Sequence, residues 1–222
     1  MRTAAFSDRA EPVGRSYAGR SAAERDAQRR ARLLAGARQV IGSEGYAATT
    51  VEKICGRAGV STRHFYLLYA TKEDAFVDLY RELTAESYRR AVEAFAGSTG
   101  RPMAERVPEA FVAYLEPMFT DLPVARIAFV EVMGVSPRLE EVRLAYRESL
   151  IEFIQTEGAA AVRRRELADR DFRFAALALI GAANAIVYDW VSRPKPPTDR
   201  EMRRALAKLA ITLLVADPRR AS

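Results

Sequence analysis

The chain has 222 residues, 49% of them apolar, which is enough to bury a real core, and a formal net charge of +6. It holds one cysteine and one histidine. No intramolecular disulfide framework and no clustered His/Cys metal site can be built from them, and they argue against a Cys–His or Ser–His catalytic pair. No P-loop or dinucleotide fingerprint occurs either, so neither an enzyme nor a cofactor is expected.

The charge is unevenly placed. Residues 1–72 hold 13 Lys and Arg against 6 Asp and Glu, and residues 73–222 hold 22 against 23. A basic surplus confined to the first third is the footprint expected for a polyanionic partner, since each neutralised phosphate releases counterions. A merely soluble, Arg-rich surface gives the same count.

Residues 1–22 carry Gly, Pro, Ser and scattered Arg without apolar period, and read as a flexible basic arm. Its Arg2, Arg9, Arg15 and Arg20 are either minor-groove contacts or solubilising charges. The start lacks the apolar run of a signal peptide, so a soluble, cytoplasmic protein is expected.

From Glu24 the pattern is helical, with Leu33, Ala37, Val40 and Ile41 on one face, ending near Gly42 to Gly45. Thr49 with Glu52 has the spacing of a capping box, which predicts a helix over the next two turns. Val51, Ile54, Cys55 and Ala58 make one buried stripe on it, and Cys55 reads as a small core hydrophobe. Gly59 supplies the left-handed stop and Val60 an apolar plug. Ser61 then caps a second short helix.

Two short helices joined through a glycine turn are a helix-turn-helix. On the second, Phe65 and Tyr69 face the preceding helix, while Thr62, Arg63, Tyr66 and Leu67 share the outer face. Arg63 is the candidate for direct base readout, because its guanidinium fork matches guanine O6 and N7. Tyr66 and Lys72 are candidates for phosphate, and Thr49 and Thr50 add donors at the preceding helix. His64 either touches DNA or is simply exposed.

Thr71 with Asp74 opens a long helix to about Phe95, broken at residues 97–102. Further helices are predicted near 103–119, 121–134, 137–158, 171–192 and 199–216, with a break at Asp121 to Pro123. The longest uncharged run, Phe174 to Tyr188, is too short to span a bilayer comfortably and reads as a buried core helix, so no membrane partner is expected. No useful stretch alternates with period two, so the fold is all-α.

The segment TTVEKICGRAGVSTRHFYLLYATKEDAF closely resembles the DNA-binding segment of the TetR family of transcriptional regulators, which reads TTV-x-x-I-A-x-x-A-G-V-S-x-x-x-[FL]-Y-x-x-F-x-x-K-E-x-L. Thr49, Thr50, Val51, Ile54, Ala58, Gly59, Val60, Ser61, Phe65, Tyr66, Lys72 and Glu73 match, and Tyr69 is aromatic where the pattern has Phe. The family often has a polar or aromatic residue at Leu67 and a histidine at Leu68, and commonly a small polar residue at His64. This helix therefore offers DNA fewer hydrogen bonds than usual. Leu67 either meets a thymine methyl or packs at the rim.

The resemblance implies an N-terminal three-helix DNA-binding domain over 23–72. It also implies a C-terminal helical ligand-binding and dimerisation domain over 73–222. Broad apolar stripes on the last two helices suit pairing with a second copy, and a homodimer suits a palindromic operator in double-stranded DNA. Candidate lining for a small-molecule effector is Tyr114, Phe119, Phe129, Met133, Phe153 and Tyr188, with Glu131 and Asn184 as polar groups. Aromatic and Met residues at this spacing are core by default. Glu131 either faces a pocket or, the commoner arrangement, pairs with an Arg, and Asn184 alternatively bonds across a dimer bundle. The expected function is a dimeric repressor released from its operator by an apolar or aromatic effector. The alternative is a helix-turn-helix protein with no ligand, whose C-terminal part serves dimerisation or protein contacts.

Overall fold

The computed structural model describes residues 21–119 and 122–216, and every regular element among them is helical. The arm's four arginines and Asp121 lie outside the described residues. Helix α1 is Ala22–Glu44, α2 Val51–Ala58, α3 Thr62–Leu68, α4 Lys72–Gly97 and α5 Met103–Leu115. Then come a 3₁₀ turn Pro117–Phe119, α6 Leu122–Arg126, a π-helical turn Ile127–Glu131, α7 Pro137–Arg163, α8 Phe172–Ser192 and α9 Asp199–Leu214.

The predicted starts and stops are largely those observed. Ser61 Oγ accepts from His64 N at α3, and Thr71 with Asp74 closes a capping box at α4. Gly59 ends α2 with φ +60°, a conformation that favours glycine. One cap is displaced. The α2 cap is Thr50, whose side chain accepts from Lys53 N, because the Thr49 hydroxyl turns inward to the Gly45 carbonyl at 2.7 Å.

Three elements differ from expectation. The helix predicted near 103–119 stops at Leu115 and gives way to the 3₁₀ turn. The stretch predicted as one helix over 121–134 breaks into α6 and the π-helical turn. Helix α7 runs on past Gly158 to Arg163. Gly158 is there for space rather than for a stop, since a Cβ would meet the Phe172 ring at 2.5 Å.

The N-terminal core packs α1 through α4 around Leu33, Ile41, Ile54, Phe65 and Phe76. Val124, Ile127, Val132 and Leu139 from α6 to α7 enter the same core. The remaining helices enclose two further apolar clusters, one around Phe119, Trp190 and Leu206, the other around Phe95, Leu179 and Ala210. Helix α8 is buried on one face only. Its Ala175, Leu179, Ala183, Val187 and Trp190 point inward, while Phe174 is 72% and Tyr188 54% exposed. Its length and composition alone would let it cross a membrane, but that buried face places it as a core helix with a bare apolar side.

A charged tie holds α3 and α4 to α1. Asp78 accepts from Arg30 Nε at 2.8 Å, Arg30 Nη2 at 2.7 Å and the Tyr69 hydroxyl at 2.5 Å. Burial works against its ionisation, but the Arg30 and Tyr69 bonds prevail and hold its carboxyl below the ordinary range. A carboxylate held low contributes stability above its unfolded pKa and loses it as pH falls through the folded one. Asp78→Asn should therefore lower stability by about 1–2 kcal/mol near neutral pH, and the gap to wild type should begin to narrow below about pH 4 and close once pH falls through the lowered folded value. Urea midpoints at the two pH values check this; a gap that persists in acid would contradict it.

Candidate nucleic-acid interface

Helix α3 divides as its sequence spacing requires. Phe65 is fully buried and Tyr69 is 7% exposed, packed against Phe65 and the N-terminal core. Thr62 and Arg63 are exposed, and Tyr66 and Leu67 are 57% and 72% exposed. The two leucines that depart from the family pattern part company: Leu67 projects to solvent, whereas Leu68 packs on the core. One face thus carries a guanidinium, a hydroxyl, a phenol and an aliphatic side chain, all free of core duties. A protruding helix with that face has the size and chemistry to enter a major groove.

The frame behind α3 is fixed by bonds to backbone. Arg32 on α1 donates from Nε to Ala58 O at 2.9 Å and from Nη2 to Gly59 O at 2.7 Å, which satisfies carbonyls at the α2 terminus. His64 is half-buried, with Nδ1 2.8 Å from Ser61 Oγ, so it braces the α3 cap.

Of the other DNA-contact candidates, Thr50 is exposed at the α2 cap. Thr49 is 2% exposed and its hydroxyl is spent on Gly45 O, so it cannot offer that group outward. Lys72 donates to Tyr46 O at 3.0 Å and Thr49 O at 2.8 Å, and its ammonium lies 4.2 Å from the Tyr46 ring centroid. Burial pushes that ammonium below its ordinary pKa. Two of its three N–H groups are therefore internal, and one is left for a phosphate.

Tyr46, which the sequence reading passed over, is where these parts meet. Its ring stacks on Phe76 at 4.9 Å, its carbonyl takes Lys72, and its N–H donates to Glu131 Oε2 at 2.8 Å. Glu131 also accepts from Arg126 Nε at 2.8 Å. The only hint in the sequence was an aromatic beside Gly45, ahead of the capping threonines.

A second feature lies in the C-terminal half. A cavity of about 100 Å³, walled almost wholly by apolar side chains, is bounded by α4, α5, α7, α8 and α9. Tyr114, Phe129, Phe153 and Asn184 line it. Glu131, Phe119, Met133 and Tyr188 do not line it. Glu131 is engaged with Tyr46 and Arg126. Phe119 stacks on Trp190 at 4.8 Å, and Met133 and Tyr188 are each 54% exposed on the outer surface.

Residues 33–79 match the family model described as bacterial regulatory proteins, tetR family. The chain is 25% identical over 167 residues, 75% of its length, to the HTH-type transcriptional regulator YhgD of Bacillus subtilis (strain 168), of which the match covers 86%. The fatty acid degradation regulator FadR from Bacillus halodurans has the same fold, with TM-score 0.74 and 18% identity over 84% of this chain and 94% of that one. FadR from Bacillus subtilis, solved in complex with stearoyl-CoA, gives TM-score 0.72 and 18% identity over 83% and 97%.

Lys72→Ala should lower stability by about 1–2 kcal/mol through the lost charge-assisted bonds to two carbonyls. A chemical denaturation midpoint equal to wild type would show that the clamp contributes nothing.

Proposed function

The chain belongs, by residues 33–79, to the tetR family of bacterial regulatory proteins, and from that premise we propose that it is a dimeric, cytoplasmic repressor released from a palindromic operator by a small apolar or aromatic effector. The observation that carries the DNA reading is the free outer face of α3: Arg63, Thr62, Tyr66 and Leu67 exposed on a helix whose other side is anchored by Phe65. Arg63 takes the role of base reader. Tyr66 and the remaining N–H of Lys72 serve phosphates, Thr50 and His64 lie at the edge, and Leu67 is placed to meet a thymine methyl.

Dimerisation is supported by the bare side of α8. Phe174, Leu177, Gly181, Ala185 and Tyr188 recur every three or four residues along one exposed stripe. Small residues between large apolar ones permit close helix approach, and a two-fold partner would cover the stripe. Two α3 helices would then read half-sites separated by one or more helical turns, roughly 34–36 Å each.

The effector reading rests on the apolar cavity, which favours a sensor over a regulator without ligand. Engineered cavities of about 150 Å³ accept benzene, so a volume near 100 Å³ suits a ring or a short chain. The structural neighbour solved with stearoyl-CoA is consistent with an apolar effector, though that molecule is much larger than this space.

The π-helical turn supplies a route between the two functions. Phe129 lines the cavity, Ile127 lies in the N-terminal core, and Glu131 holds Tyr46. An effector that favours a different setting of this turn would shift the DNA-binding unit by its differential affinity for the two states.

Arg63→Ala should weaken binding to a selected operator duplex by about 1–3 kcal/mol and relax its sequence preference, with thermal stability unchanged. Fluorescence anisotropy with operator and scrambled duplexes reads both effects. Intact affinity and preference would remove Arg63 from the readout face.

A further inference from the structure

A second, smaller cavity adjoins the apolar one. It measures about 40 Å³ and is bounded on its polar side by Tyr80 of α4, Tyr114 of α5, Arg143, Tyr146 and Arg147 of α7, and Asn184 of α8. Tyr114 and Asn184 line both spaces, as do Phe129, Leu150 and Ile180, so the two adjoin at a common wall.

Each polar side chain facing the smaller space offers a hydrogen: phenols, guanidinium groups and one amide. No carboxylate lines it. Arg143 is already matched, its Nε and Nη2 on Glu140 at 2.8 and 2.5 Å. Arg147 is not. Its Nε is buried with no hydrogen-bond partner among the described residues; the buried Tyr146 hydroxyl lies near the Tyr114 phenol but makes no well-aligned hydrogen bond. Other buried arginine Nε atoms lack partners, on Arg106, Arg170 and Arg203. Those guanidinium groups bond backbone carbonyls through their remaining nitrogens and line none of the cavities described here. Burial drives the Tyr114 phenol up to about 12 and pushes Tyr146 further in the same direction, so both keep their protons near neutrality and can only serve an acceptor by donating.

Glu140 and Glu148 on α7 feel the Arg147 charge, but they do not satisfy its buried Nε. Buried donors without an acceptor are costly, and proteins retain them where an acceptor completes the site. A water needs about 10–15 Å³, and the space of about 40 Å³ also admits a carboxylate, which accepts from both donors at once, while it excludes a nucleotide head. Resting on the reading of the larger cavity as an effector site, we propose that the effector is an apolar monocarboxylic acid. Its carboxylate lies between Arg147 Nε and the Tyr146 hydroxyl, and its tail, an aromatic ring or short alkyl chain, fills the larger cavity.

The test is calorimetric titration of the full-length protein with 3-phenylpropanoate and hexanoate, each against its alcohol, and with hexanoyl-CoA. Each acid should bind at least about tenfold tighter than its alcohol, the range for hydrogen bonds to a charged partner. Arg147→Met and Tyr146→Phe, checked for folding by circular dichroism, should erase or reduce that preference and leave alcohol binding in place. Equal affinity of acid and alcohol overturns the carboxylate assignment while leaving the effector cavity intact. A preference that survives Arg147→Met, or tighter binding of hexanoyl-CoA than of hexanoate, does the same. Wild-type protein that binds neither acid nor alcohol overturns both readings. Comparison of the two acids identifies which tail the larger cavity prefers.

Discussion

The turn between α1 and α2 meets the rest of the molecule at Tyr46 more than at any other of its residues. Tyr46 gives its N–H to Glu131 of the π-helical turn, offers its carbonyl and ring face to Lys72, and stacks its ring on Phe76 of α4. Everything on the DNA side follows from that turn. It sets where α2 begins, through Thr49 on Gly45 O and Thr50 on Lys53 N, and α2 in turn positions Gly59 and the α3 cap. Glu131 lies two residues from Phe129, which lines the apolar cavity, and α4 joins the same two regions directly, from Lys72 at the turn to Phe95 in the cavity wall. A hydrogen bond to a charged acceptor is among the stronger single contacts available to a part-buried amide, which suits a junction that must transmit strain without melting.

The basic surplus of the first third acquires a more specific meaning in the structure. Several of its cations are consumed internally: Arg30 on Asp78, Arg32 on the α2 carbonyls, Lys53 on Glu44, and Lys72 on the turn. Those residues build a rigid platform, and Arg63 stands apart on the exposed face of α3. On the proposed reading, phosphate contacts and base contacts fall to different side chains, which is how positioning and readout divide in protein–DNA interfaces generally.

Local chemistry was the legible part of the sequence. Caps at Ser61 and Thr71, the stop at Gly59 and the stripe through Ile54 and Cys55 depend on neighbours three or four residues away, and the fold realises them. The family resemblance rested on the same short-range pattern. What the sequence did not disclose depends on distant partners. Thr49 lost the cap to Thr50 because of a carbonyl presented by the preceding turn, and Gly158 continues a helix because Phe172 needs its missing side chain. Glu131 pairs with Arg126, as the commoner reading of the sequence has it, but its second partner, the Tyr46 N–H, lies 85 residues away. Aromatic residues at helical spacing cannot declare which of them face a void. Tyr114, Phe129 and Phe153 do, while Phe119 stacks on Trp190 and Tyr188 faces outward.

The central claim is that the DNA-reading unit is governed through the Glu131–Tyr46 bond. The direct measurement is affinity for a selected operator duplex, against non-specific duplex, in Glu131→Ala and Glu131→Gln. The glutamine variant keeps a side-chain oxygen to accept from Tyr46 N–H; the alanine variant keeps none. The account predicts that Glu131→Ala loses operator affinity by about tenfold or more with little change on non-specific DNA, and that Glu131→Gln retains most of it. Operator affinity equal to wild type in Glu131→Ala, with the protein folded, would contradict it.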